Sequence, residues 1–504
     1  MSKQAFDSEK YVAEQSASIL ERAARFGNKL YIEFGGKLVC DMHAARVLPG
    51  FDPNTKLHLL RALKDQAEII LCIHAGDIER RKIRADFGVT YDDDVLRLID
   101  DLRERDLPVT GVVFTRFEDQ PAVRPFQRRL ERGGIRSYAH RSTPGYPTDV
   151  ELIVSDEGCG ANEWIETSRP IVVVTGPGPG SGKMATCLSQ LYHEYRRGRS
   201  CGFAKFETFP IWNLPLKHPV NVAYEAATAD LGDVNMLDSF HLDAYGASAV
   251  SYNRDMEVFP ILRRILERIA GRASAYRSPT DMGVNRAGFA IADDAAVREA
   301  SMQETIRRHL RARCEFTLGL TEKETVQRTE LLMNELGVDD SYRRVVPAAR
   351  QAAQQAREKG KGHESIFCGA AMELPEGQIA TGCNSPLMHA ASSLVLNAAK
   401  QLAGIPDSLH ILAPNVLESV ATLKSGIFNG GTPSLDLEET LIALSVSATL
   451  NPAAQMAMDA LKSLRDCETH LTHLPTPGDE AGLRRLGVNV TSDPEFAGKN
   501  LFVD

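Results

Sequence analysis

One segment, IVVVTGPGPGSGKMATCLSQLYHEYRRG from Ile171 to Gly198, constrains the fold of this chain more than any other. Ile171 to Val174 is a continuous β-branched run of the kind that forms a buried strand, and it feeds a glycine loop and then a helix. Four glycines, Gly176, Gly178, Gly180 and Gly182, stand in the loop with Ser181 and Lys183. Glycines let backbone N–H groups turn inward around an anion, the helix N-terminus adds partial positive charge, and a lysine supplies a mobile cation. The alternative is a tight turn whose glycines only permit close packing of helix on sheet.

The same alternation precedes this segment. Helical spacing over Ala5–Arg25 is followed by a short apolar strand at Leu30–Phe34. Helices are then predicted around Leu57–Lys64, Asp92–Arg105 and Ala122–Arg132, with strands at Ile69–Ile73, Val109–Phe114 and Ile135–Tyr138. Strands alternating with helices predict a mostly parallel sheet and an α/β fold class. A chain of 504 residues suggests about three domains, with two or four allowed. The expected division is a Rossmann-like α/β domain over 1–150, a P-loop-like α/β region over 151–255, a helical domain over 256–359 and a C-terminal α/β domain over 360–504. Helical spacing in FPILRRILERIA, ETIRRHL and TELLMNELG carries the third of these.

The loop resembles that of the P-loop nucleotide-binding proteins, with two departures. In G-x-x-x-x-G-K-[ST], counting back from Gly182 puts Pro177 where the first glycine belongs, with Gly176 one residue early, and Met184 stands where a hydroxyl would hold magnesium. The expected ligand is a nucleotide or another small phosphorylated metabolite, bound by Gly176, Gly178, Gly180, Ser181, Gly182 and Lys183, with magnesium in doubt. Downstream, Asp230, Asp233, Asp238, His241 and Asp243 crowd into ADLGDVNMLDSFHLDAYG. Carboxylates close to a phosphate loop hold a metal or orient a nucleophile, which makes Asp238, His241 and Asp243 the candidate catalytic residues. A solvated acidic loop is the other reading. Lys205, Lys217 and His218 lie between the two features and either complete an anion pocket or are ordinary surface charge.

Weaker signals lie elsewhere. Glu33, Gly35, Gly36 and Lys37 repeat the strand-then-glycine theme, for which a plain turn is the simpler account. The basic stretch Glu79–Arg84 follows His74-Ala75-Gly76-Asp77 at the carboxyl edge where open α/β sheets bind ligands, or is an exposed helix face. Near the C-terminus, CGAAMELPEGQIATGCNSPLMHAASSLVL resembles the opening hairpin and first zinc helix of the cytidine-deaminase fold, with its helix beginning at Pro386. Thr381, Gly382 and Asn384 fit that pattern and His389-Ala390-Ala391 falls at the His/Cys-Ala-Glu triplet. The glutamate is missing, and no P-C-x-x-C supplies further ligands, so no zinc is expected. Cys467, His470 and His473 stand three apart, a spacing that on a strand alternates faces. The nine scattered cysteines, without a C-x-x-C pair, read as reduced thiols that pack as small hydrophobes.

A net charge of −9 argues against a chain built to coat nucleic acid or anionic membrane. No run approaches the roughly 18–20 apolar residues of a membrane span, and charges in MSKQAFDSEKY fall where a signal peptide needs an apolar core, so a cytoplasmic protein is expected. Along its whole length the chain resembles the bacterial family catalogued as domain of unknown function 1846, through EFGGKL, TGPGPGSGKMATCLSQLYHEY, KFETFPIWNLPLKHPVN and LNPAAQMAMDALKSLRDCETHLTHLP. That resemblance implies a multi-domain α/β protein of the bacterial cytosol and brings no activity with it. Three functions stay open: an enzyme of phosphoryl transfer or nucleotide-driven ligation, a sensor that binds such a ligand without turnover, and a homo-oligomeric structural protein resting on the amphipathic helices.

Overall fold

A computed structural model describes residues 4–84, 88–427 and 434–498. The chain divides into two compact units, Met1–Glu304 and Thr305–Asp504. The first is built on a seven-stranded sheet of β1 (Leu30–Phe34), β2 (Ala67–His74), β3 (Val109–Thr115), β4 (Ser137–His140), β5 (Ile171–Thr175), β6 (Gly202–Phe206) and β7 (Gly283–Val284). Every pairing is parallel, in the order β7-β6-β1-β5-β2-β3-β4. All five residues of β5 are buried, as its unbroken β-branched run requires of a central strand covered on both faces.

The order corrects the expected boundary near 150. After β4 the chain returns to insert β5 between β1 and β2, so residues from both sides of that boundary share one sheet and one core. Alternation along a sequence shows that strands exist but not which gap a later strand fills. The helical region is corrected in the same way. Helix Asn253–Ala270 packs on helix Lys183–Arg196 in the first unit, whereas Val345–Glu358 packs on the sheet of the second. The division between the units falls inside helix Asp294–Thr317.

The strand order also creates two crevices at the carboxyl edge. The chain leaves β5 toward β6 and leaves β2 in the opposite direction toward β3, and the same divergence separates β6 from β1. Ligands of open α/β sheets bind where adjacent connections diverge in this way.

The second unit holds a four-stranded mixed sheet of β8 (Gly369–Glu373), β9 (Ile379–Cys383), β10 (Glu468–Leu471) and β11 (Asn489–Ser492), ordered β9-β8-β10-β11. The hairpin expected around Pro375–Gly377 is β8–β9, and the helix after it runs Ala390–Leu402. It starts four residues beyond Pro386 because Ser385 and Met388 close a turn first, through Ser385 N–H donating to Met388 O at 2.9 Å. A Cβ on Gly382 would sit 2.3 Å from Leu394 N, so the helix lies on β9 only because that residue is glycine. Among the described residues no helix is long and apolar enough to cross a membrane.

Glu468 of β10 accepts from Arg307 at 2.7 and 2.8 Å and from Arg343 at 2.7 Å. Burial would raise its carboxyl, but the two guanidinium groups hold it below the ordinary range. Replacing Glu468 by Gln should cost roughly 3–5 kcal/mol in urea unfolding, because two buried guanidinium groups lose the carboxylate charge set against them. A depressed carboxyl contributes stability that is present above its unfolded value and lost in acid, so the difference between wild type and variant should shrink as pH falls below about 4.

Candidate functional site

The glycine loop lies in the crevice between β5 and β2. Gly182 caps helix Lys183–Arg196 at φ 84°, and Gly180 also has positive φ, 73°. Crowding explains three of the four glycines. A Cβ on Gly176 would meet Cys72 O at 2.3 Å, one on Gly178 the Tyr91 hydroxyl at 2.6 Å, and one on Gly182 the Thr115 side chain at 2.7 Å, whereas Gly180 has nothing within 4 Å. Thr115, at the end of β3, fastens the loop by donating its hydroxyl to Ser181 O at 2.9 Å.

Packing does not explain the loop's donors. Among the described residues, the backbone N–H groups of Gly178 and of Gly180 through Ala185 have no protein acceptor. They include the first helical turn, whose donors are left over in any helix and attract anions. Lys183 folds back over the loop, its Nζ donating to Gly178 O at 3.3 Å and Ser181 Oγ at 3.4 Å. Both contacts are long, which suits a cation held in reserve. Met184 packs half-buried against the core, and the nearby hydroxyl of Thr186 is buried and accepts from Cys72 Sγ at 3.4 Å.

Beside the loop, at the second crevice, lies a group of charges that only partly stood out in the sequence. Glu33 on β1 is in register with Val174 of β5 on one side and Lys205 of β6 on the other. Its Oε2 is buried and, among the described residues, has no hydrogen-bond partner. The thiols of Cys72 and Cys187, both raised by burial, feel Glu33 as well as Lys183, which places this carboxylate in the neighbourhood of the loop. Lys205 pairs with Asp255 at the start of helix Asn253–Ala270. Burial would lower the Lys205 ammonium, but Asp255, Glu33 and Glu207 outweigh it and raise it above its usual range. Glu207, one residue past β6, accepts from the Tyr252 hydroxyl at 2.9 Å. Burial pushes its carboxyl up to about 8, with the charge of Asp255 adding to the rise. A carboxyl that titrates near neutrality beside a lysine is the usual equipment of a general acid or base.

The acidic motif downstream does not converge on this place as a cluster. Asp230 and Asp243 are exposed, and Asp233 pairs with Arg254 at 2.8 Å. Asp238 is buried and its two oxygens are taken by His241 N–H, Thr280 N–H and the Thr280 hydroxyl. His241 is held by Ser278 Oγ at 3.0 Å. His218 caps helix Pro219–Ala227, accepting from Val220 N–H at 3.2 Å, while Lys217 is exposed. Gly35 and Gly36 belong to packing, since Gly35 N–H donates to Phe206 O at 3.0 Å and a Cβ on Gly36 would meet Lys56 Nζ at 2.8 Å. In the basic stretch Arg80 returns to Asp77 at 2.7 Å. In the second unit His389 precedes its helix and holds Asp479 at 2.8 Å, and Asn384 ties the hairpin to Cys368 N–H at 2.8 Å. His470 is buried against Thr491 Oγ1 at 2.9 Å. Among the described residues no three His, Cys, Asp or Glu side chains are grouped as a metal site.

Residues 4–337 match the family described as "Domain of unknown function DUF1846, N-terminal", and residues 341–502 match "Domain of unknown function DUF1846, C-terminal". The chain belongs to the DUF1846 family. Among similar curated proteins, a UPF0371 protein of Clostridium botulinum (strain Langeland) is 55% identical over 497 residues, covering 99% of both chains. A UPF0371 protein of Clostridium tetani is 54% identical over the same length, also with 99% of both chains covered. The glycine loop and the Glu33–Lys205–Glu207 group all fall within the N-terminal DUF1846 segment.

Two outcomes follow from this geometry. Gly182→Ala combines left-handed backbone with a collision against Thr115 and should lower stability by roughly 2–3 kcal/mol in denaturant unfolding. Gly180→Ala carries only the backbone term, roughly 1–2 kcal/mol. Glu207 behaves in the opposite sense. A carboxyl raised in the folded state takes up protons on folding, so stability falls as pH rises from the ordinary carboxylate range through about 8. Glu207→Gln removes that dependence, and its melting temperature at pH 9 should equal or exceed that of wild type.

Proposed function

We propose that this DUF1846 protein binds a small phosphorylated molecule, a nucleotide or a phosphorylated metabolite, at Gly176–Lys183 and performs acid–base chemistry on it with Glu207 and Lys205. The observation that carries the reading is the run of unpaired N–H donors from Gly180 to Ala185 beneath a lysine whose contacts are all long. Anion binding at such a helix start needs no side chain beyond the cation. Glu33, with a buried and unpartnered oxygen between the loop and Lys205, supports a site that continues from one crevice to the next. Phosphoryl transfer or ligation would require the group at Glu207 to take a proton from the attacking nucleophile. Met184 in place of a metal-binding hydroxyl supports a second reading, a sensor that binds the same ligand without turnover.

Thermal shift with pyrophosphate, nucleotides and sugar phosphates, each with and without magnesium, tests the binding claim, because a ligand of the native state raises its melting temperature by mass action. Lys183 opposes the positive end of its helix by roughly 0.3–1 kcal/mol, so Lys183→Ala should be as stable as wild type when empty, or slightly more so. With a stabilising ligand the variant should lose about ten- to a hundredfold in affinity. A variant that melts several degrees lower when empty and binds as tightly as wild type would make Lys183 a structural residue. Turnover of the stabilising ligand, abolished by Glu207→Gln while binding persists, separates enzyme from sensor.

A further inference from the structure

The buried carboxylate of Asp238, which serves no role in the site above, builds the wall of a second cavity in the first unit. Its Oδ1 accepts from His241 N–H at 2.9 Å, and its Oδ2 accepts from Thr280 N–H and Oγ1 at 3.1 and 2.6 Å, so one side chain fixes two lining residues. The cavity measures about 240 Å³, and Trp212, His241, Thr280, Arg22, Arg25 and Arg286 are among its lining. Trp212 is held by its Nε1–H donating to Asn285 O at 3.0 Å, and the His241 ring lies 6.0 Å from it, centroid to centroid. Ser278 occupies His241 Nδ1, which leaves Nε2 for another partner.

Three guanidinium groups, Arg22, Arg25 and Arg286, and two carboxylates, Glu21 and Asp281, line this cavity, and the charges of Arg22 and Arg286 reach Glu21 as well. Arg25 is paired with Glu21 one turn earlier. Arg22 donates to the carbonyl oxygens of Asp281 at 2.7 Å, Met282 at 3.3 Å and Gly283 at 3.5 Å and lies over the Tyr276 ring at 5.3 Å, and Arg286 lies over the Phe289 ring at 5.2 Å. Among the described residues neither Arg22 nor Arg286 has a carboxylate within salt-bridge distance. Guanidinium groups in that state are suited to phosphate, which they grip with paired N–H donors, and an indole beside an imidazole offers flat apolar surface to a planar ring. The volume lies just below the roughly 300–1,000 Å³ of pockets for drug-sized ligands, which suits one ring and one phosphate better than a longer phosphate chain.

We infer that this cavity binds a phosphorylated heterocycle of the nucleoside monophosphate class, with the phosphate on Arg22 and Arg286 and the ring against Trp212 and His241. It shares no residue with the glycine loop and stands or falls independently of it.

The chain has two tryptophans, Trp164 and Trp212, so Trp164→Phe leaves Trp212 as the sole indole reporter. AMP titrated into that variant should change its emission saturably, and calorimetry on wild type should give the same affinity. Adenosine and inorganic phosphate should each bind at least about tenfold more weakly than AMP, since each satisfies half of the site. Adding Arg286→Ala should weaken AMP about ten- to a hundredfold with an unchanged melting temperature, whereas Lys183→Ala should leave the titration unaltered. Absence of saturable binding at millimolar AMP by both methods would overturn the inference. So would inorganic phosphate matching AMP, Arg286→Ala binding as tightly as its parent, or loss of the signal in Lys183→Ala.

Discussion

The architecture turns on how closely β5 and its loop approach the strand ends beside them. β5 arrives late in the chain and is inserted between β1 and β2, which puts Gly176 against the carbonyl oxygen of Cys72 and Gly182 against Thr115. Any side chain at those positions would drive the loop outward and carry the start of helix Lys183–Arg196 with it. The hydroxyl of Thr115 then fastens Ser181 in place. The proposed anion site depends on this fit, because it brings a helix start into the crevice and, among the described residues, leaves its N–H groups without protein partners.

Close packing and the proposed anion binding are therefore compatible rather than rival accounts of the loop. Three glycines are needed for contact and Gly180 for backbone geometry alone, and together they form a tightly packed loop whose donors, among the described residues, have no protein acceptor. Preorganised donors need no rearrangement when an anion arrives, which is where such sites gain over water. The neighbouring crevice shows the opposite economy. Glu33, Glu207 and Asp255 crowd carboxylates around a single ammonium, Lys205, at a place where burial disfavours charge. Such a collection of carboxyl groups around one ammonium is the arrangement on which the proposed acid–base chemistry rests.

Much of this was readable from residues. The β-branched run at Ile171–Val174 and the glycines after it identified a buried strand and a helix start, and the hairpin at Glu373–Ile379 followed from Pro375 and Gly377 in the same way. Local chemistry decides those features. The insertion of β5 was not readable, since the gap a strand fills is settled by contacts far apart in sequence. That is why a boundary near 150 looked natural and does not exist in the sheet. Glu207 was missed for a related reason: a lone glutamate in KFETFP carries no pattern, and only the fold brings the Tyr252 hydroxyl and the charge of Asp255 to it. Asp238 stood out because aspartates crowd around it, but its partners, Thr280 and the His241 amide, turn it into a helix cap that shapes a wall.

The central claim is that the loop is an anion cradle held ready by packing, and a crystal soaked in pyrophosphate tests it most directly. The account predicts phosphate oxygens within hydrogen-bond distance of the N–H groups of Gly180 through Lys183, with Lys183 Nζ released from Gly178 O to the ligand and the loop backbone unmoved. An unliganded loop at saturating pyrophosphate, with Lys183 still resting on Gly178 and Ser181, would contradict it.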